Sequence, residues 1–169
     1  TVFEYSPNHD LVKVTEASGT NEQKITRTNY NLFGEKVQTL KHDNVVLAYT
    51  YDSIGRLKTL TSSDQTINYL YEYNKCDQIT SIYDAISGHT TNRTYFEGEL
   101  VSETQANGLC LSYSYDRLGR IGNIVFPDQT SVEFSYDAVD LKEIRRLKNT
   151  QTVYTHVNHK YSTSGQLEQ

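Results

Sequence analysis

The chain has 169 residues, a formal net charge of −5 and 36% hydrophobic residues, with fourteen tyrosines and neither tryptophan nor methionine. The acidic balance argues against a nucleic-acid partner, no apolar run reaches the length of a membrane-spanning helix, and two cysteines, Cys76 and Cys110, give neither a disulfide framework nor a metal signature. Burial must rest on amphipathic tyrosines, which suits a thin sheet whose rings keep wet edges.

A tyrosine followed by a glycine turn recurs at Tyr5, Tyr30, Tyr51, Tyr73, Tyr95, Tyr115, Tyr136 and Tyr161, at steps of 25, 21, 22, 22, 20, 21 and 25. A period of this size marks a tandem array of one supersecondary unit, here about eight units over residues 1–169 with no linker. The first copies turn at His9 and Gly34. Val45, Leu47, Tyr49 and Tyr51 then alternate with polar or small residues into Tyr51-Asp52-Ser53-Ile54-Gly55-Arg56-Leu57. Period two with aromatic and β-branched residues is a strand with one apolar face. Ile67, Tyr69, Tyr71 and Tyr73 repeat the pattern before Asp77, the Tyr95 copy is one residue shorter and turns at Gly98, and Leu109, Leu111, Tyr113 and Tyr115 lead into Tyr115-Asp116-Arg117-Leu118-Gly119-Arg120-Ile121. Val132, Phe134 and Tyr136 precede a turn at Asp140, and the last copy turns at Gly165.

The slot four residues after the tyrosine needs the left-handed region, open to glycine and tolerated next best by Asx and His. Asp52, Asp116, Asp137, Asn31 and Asn74 follow the tyrosine as turn initiators. A second reversal falls at Asp43-Asn44, Asp64-Gln65, Ser87-Gly88, Asn107-Gly108 and Pro127-Asp128. Two turns per period predict roughly twelve to sixteen short antiparallel strands in one curved, all-β sheet. Leu57 and Leu60, Ile79 and Ile82, and Ile121 and Ile124 are spaced by three, which predicts a bulge in the outgoing strand. The same spacing at Leu141, Ile144 and Leu147 leaves helix as a rival there.

No constellation for catalysis, cofactor binding or metal binding is visible. His156 and His159 fall on opposite strand faces, and no nucleophile elbow, phosphate loop or acid–base pair occurs. Arg56 and Arg120, each directly after a motif glycine, are expected to pair with the turn aspartates. Lys142, Arg145, Arg146 and Lys148 form a solvated basic run, and Asn92-Arg93-Thr94 is a bare glycosylation sequon. The first residue, Thr1, and a last motif that stops just after Leu167 predict a segment of a longer protein.

The repeated Tyr51-Asp52-x-x-Gly55-Arg56-Leu57 and Tyr115-Asp116-x-x-Gly119-Arg120-Ile121 resemble the Rhs or YD-repeat family, which includes bacterial polymorphic toxins, shell components of insecticidal toxin complexes, wall-associated proteins and the animal teneurins. The resemblance implies a spiralling hairpin sheet that forms part of a hollow shell around a C-terminal toxin or effector, delivered by secretion or held at the cell surface. The implied partners are that toxin domain and other shell segments. No self-cleaving boundary motif and no toxin domain occur within this sequence. The competing reading is an adhesion or carbohydrate-binding module, its tyrosines acting as stacking platforms for glycans or surface proteins. A membrane β-barrel ranks last, because the outgoing strands are too polar for a lipid belt.

Overall fold

The structure, a computed structural model, describes residues 1–157 and is all β, with fifteen strands. Two compact units divide at Thr90. The first holds β1 (Val2–Tyr5), β2 (Leu11–Glu16), β3 (Lys24–Tyr30), β4 (Lys36–Leu40), β5 (Val46–Tyr51), β6 (Leu57–Ser62), β7 (Asn68–Tyr73) and β8 (Ile79–Asp84). β9 (His89–Phe96) begins at the end of the first unit. The second continues with β10 (Glu99–Thr104), β11 (Cys110–Tyr115), β12 (Ile121–Val125), β13 (Thr130–Asp137), β14 (Asp140–Lys148) and β15 (Gln151–Val157). Within each unit every strand pairs antiparallel with its neighbour in sequence, the simplest hairpin meander.

Each sheet is a single layer. Among the described residues no hydrophobic side chain is fully buried, and the buried positions are Thr15, Thr39, Ser62 and Thr130. Neither sheet therefore folds around a core of the usual kind, and cohesion must come from ladders and side-chain links between hairpins.

The alternation read from the sequence sets the faces. Tyr49 pairs with Leu60 and Leu60 with Tyr69, so Tyr49, Tyr51, Tyr69, Tyr71 and Tyr73 share one face. Tyr113 and Tyr115 likewise share a face in the second unit, opposite Ile124 and Ile121. The expected bulge is present at every anchor tyrosine from Tyr5 to Tyr136. Thr50 pairs with Thr59 and Tyr51 with Leu57, leaving Lys58 as the extra residue. The bulge restores Leu57 and Leu60 to the tyrosine face, and the same device places Ile79 and Ile82 opposite Tyr73 and Tyr71. It also resolves the helix question: Leu141 and Ile144 lie opposite Tyr136 and Phe134 in β14, so the spacing of three reflects a bulge at Lys142.

Candidate functional site: the ladder at the Tyr-Asx turns

The motif residues assemble a link between successive hairpins. In the turn after β5, Asp52 Oδ1 accepts the backbone N–H groups of Ile54 and Arg56, each at 3.0 Å. The Asp52 N–H donates to the Arg56 carbonyl, and the Gly55 N–H to the Asp52 carbonyl. This is a type I turn closed by a left-handed residue, with Gly55 at φ 86 and Gly119 at φ 74. Asp116 repeats the arrangement with Leu118 and Arg120. Gly55 is required twice over: a Cβ there would lie 2.9 Å from Glu35 Oε1 of the preceding hairpin, and at Gly119 one would lie 3.0 Å from Glu99 Oε1.

Non-glycine residues occupy the same slot at His9 (φ 65) and Asp77 (φ 61), as the sequence predicts, and Gly98 has φ 91. Asp140 departs from expectation. It pairs with Asp137 in the hairpin ladder, and Ala138 carries the positive φ of 50, so this copy closes with a tighter two-residue turn. Asp137 is thus a ladder residue. Tyr161, His159, Gly165 and Leu167 lie outside the described residues.

The residue after the tyrosine is matched to the one four further on. Asp52 Oδ2 accepts from Arg56 Nε at 2.7 Å, and Asp116 Oδ2 from Arg120 Nε at 2.7 Å. Asn74 donates to Gln78 Oε1 at 2.9 Å, Asn31 to Glu35 Oε2 at 2.6 Å, and Ser6 to Asp10 Oδ2 at 3.2 Å. A carboxylate at the first place goes with arginine at the second, whereas an amide or hydroxyl donor goes with an acceptor. The expected pairing of the arginines with the turn aspartates is therefore one case of a wider rule, in which donor and acceptor exchange places between copies.

Arg56 also reaches forward into the next hairpin. Its Nη1 donates to the Asn74 carbonyl at 3.1 Å and to Asp77 Oδ1 at 2.8 Å, and its guanidinium lies 4.7 Å from the Tyr73 ring centroid. Arg120 does the same with the Ala138 carbonyl and the Tyr136 ring, at 4.1 Å. Coming back the other way, the anchor hydroxyls donate to the first strand residues of the preceding hairpin. Tyr51 reaches the Lys36 carbonyl at 2.8 Å, Tyr73 the Leu57 carbonyl at 2.8 Å, Tyr115 the Leu100 carbonyl at 2.9 Å and Tyr136 the Ile121 carbonyl at 2.9 Å. Tyr30 spans further, to Leu11. The expected ladder of tyrosines thus runs from hydroxyl to main chain, a link the sequence could not display because both partners are set by the bulge.

The electrostatics follow this geometry. The Arg56 backbone N–H, then its side chain, holds the Asp52 carboxyl below its ordinary value, and the Arg120 side chain does so for Asp116. Burial raises the phenols of Tyr51, Tyr73 and Tyr115. Crevices lie beside Asp10 and Tyr30 and beside Arg56 and Tyr73, at equivalent places in two repeats. Their recurrence makes them products of the repeat geometry.

The remaining candidates stay apart. Cys76 and Cys110 are free and exposed, and the Ser102 hydroxyl lowers the Cys110 thiol. His156 contacts Tyr154 at 2.6 Å. The basic run divides between the two faces of β14, with Arg145 on Glu133 and Arg146 over Phe126. Among the described residues no group of His, Cys, Asp and Glu could hold a metal ion, and no helix is long and apolar enough to cross a membrane.

A single-layer array of antiparallel hairpins, linked by Tyr-Asp and Gly-Arg motifs, defines a YD-repeat shell protein. The teneurin YD-shell family model matches residues 1–161, and the chain belongs to that family. No curated protein matches the sequence. The fold is similar to a solved TcdB2-TccC3 structure, with a TM-score of 0.60 and 13% identity, over 89% of this chain and 12% of that one. A Tc holotoxin pore from Photorhabdus luminescens is also similar, at 15% identity and a TM-score of 0.40, over 98% of this chain and 12% of that one. The chain thus spans 12% of the length of each of these structures. It is a shell-type structural segment.

Proposed function

We propose that this chain is a stretch of wall in a hollow YD-repeat shell that encloses a toxin or effector polypeptide at the C-terminal end of a longer protein and protects it during delivery. The carrying observation is the sheet itself: it is held together within one layer by turns, bulges and the Tyr–Arg ladder, with no fully buried hydrophobic side chain among the described residues. A wall of that kind keeps its integrity with either face turned toward a cavity, because its cohesion does not depend on a covering layer. Family membership and the fold likeness to a TcdB2-TccC3 structure support the same reading.

In this reading residues 1–169 form one tandem array of about eight units, Tyr51, Asp52, Gly55, Arg56 and Leu57 with Tyr115, Asp116, Gly119, Arg120 and Ile121 are its structural residues, and the segment has no enzymatic role. Its partners are the enclosed polypeptide and other shell segments, and the assembled protein acts outside the cell that makes it. The tyrosine hydroxyls and two of the rings are already engaged by neighbouring hairpins, which favours a wall over an adhesion platform.

Limited proteolysis of the full-length protein tests this. A C-terminal polypeptide that resists protease while the shell is intact, and becomes cleavable once the shell is opened by denaturant, is expected. A polypeptide cleaved at the same rate in both conditions contradicts enclosure.

A further inference from the structure

The five most exposed large hydrophobic side chains all occupy one place in the repeat. Leu32 (103% exposed), Phe33 (88%), Val139 (83%), Leu118 (73%) and Ile54 (67%) stand two or three residues after an anchor tyrosine, at the tip of the turn. Turn tips favour polar residues and glycine, and these side chains contribute nothing to the turn, which the Asx oxygen and the left-handed residue close. Single exposed apolar residues are ordinary, but recurrence at one motif position makes a row.

The two long margins of the first unit differ. The margin of the Tyr-Asx turns presents Leu32, Phe33 and Ile54, and its Asp52 carboxylate is neutralised by Arg56 at 2.7 Å. The opposite margin turns at Asp43-Asn44 and Asp64-Gln65, and among the described residues neither aspartate has an ion pair. Two opposite margins brought together would set like charges against each other, whereas two apolar margins meet without that cost. Spacing narrows the partner further. Successive tips are two strands apart, about 9.5 Å, so a partner must present apolar anchors at that pitch, and a margin of the same repeat does so.

We propose that the Tyr-Asx margin is an interaction surface for the same margin of a second copy of this chain, the two rows of tips interdigitating about a twofold axis. Such contact is isologous, the same residues contributing from both sides. It does not depend on the enclosure of any cargo.

Sedimentation of the 169-residue chain tests the proposal. A reversible dimer at tens of micromolar is expected, and in the triple variant Leu32→Glu, Phe33→Glu, Ile54→Glu the association should weaken by about tenfold or more, since burying acids against acids is costly. The circular dichroism spectrum of that variant should match the parent, because the tips pack against nothing. Ile86→Glu, the same kind of change at an exposed site (51%) on the opposite margin, should leave association intact. A chain that stays monomeric to about 100 μM, a triple variant that associates as the parent does, or equal loss in Ile86→Glu each overturns the proposal.

Discussion

Gly55 meets two independent constraints, and they can be separated by substitution. Its φ of 86 penalises any side chain, while the 2.9 Å approach of Glu35 Oε1 penalises a Cβ of any kind. Gly34 has the first constraint alone, with open space around it at φ 78. Gly55→Val should destabilise by about 1–3 kcal/mol because a β-branched residue resists that backbone region. In urea unfolding, Gly55→Ala should cost more than Gly34→Ala, and Glu35→Ala should recover part of the difference. Equal costs for the two alanines would remove the close approach from the account. The tyrosine hydroxyls make a second residue-level test. Tyr115→Phe keeps the ring and deletes the bond to the Leu100 carbonyl, so a loss of about 0.5–1.5 kcal/mol is expected. Tyr115→Ala should lower the melting temperature further, through lost area as well.

The hairpin is the unit in which the side-chain pairings act. Asp52 with Arg56 and Asn74 with Gln78 are two solutions to one geometry, acceptor to donor in the first and donor to acceptor in the second. Asp52→Asn combined with Arg56→Gln should therefore lose less stability than the two single changes added together, and a double-mutant cycle measures that coupling. Strict additivity would show that the pairs are incidental. Most of this element is legible in the residues themselves. Alternation marks the incoming strands, the glycine slot marks the turns, and the spacing of three at Leu57 and Leu60 marks the bulge. The Tyr136 copy misleads, because Asp140 sits at the expected distance while Ala138 takes the left-handed place, and turn length is decided by which strand residues pair rather than by residue type alone. The tyrosine-to-carbonyl bonds are invisible in the sequence for a related reason. A residue 15 or 16 positions earlier is brought under the hydroxyl by register, and register is a property of two strands.

Across the molecule, stability rests on many small polar links, so it should respond to pH at both extremes. Asp52, Asp64, Asp84, Asp116 and Asp128 are held below their ordinary value of 3.8 by backbone and side-chain donors. Their contribution is present above 3.8 and is lost as pH falls through the lowered folded values. Tyr51, Tyr71, Tyr73, Tyr113 and Tyr115 are raised above 10.0, chiefly by burial. Their contribution is present below 10.0 and is lost as pH rises through the raised values, when the hydroxyl must give up its proton. A melting temperature that is flat from about pH 5 to 9 and falls on both sides is expected, with the alkaline fall tracking phenolate absorbance.

At this scale the role as a shell wall depends on what the sheet surrounds, which no single repeat reveals. Electron cryo-microscopy of the full-length protein tests it most directly. The account predicts that these repeats form a single-layer β wall one strand thick, bounding a cavity that contains polypeptide density. A solid globular core at their position, or an extended rod of hairpins with no cavity, would contradict it.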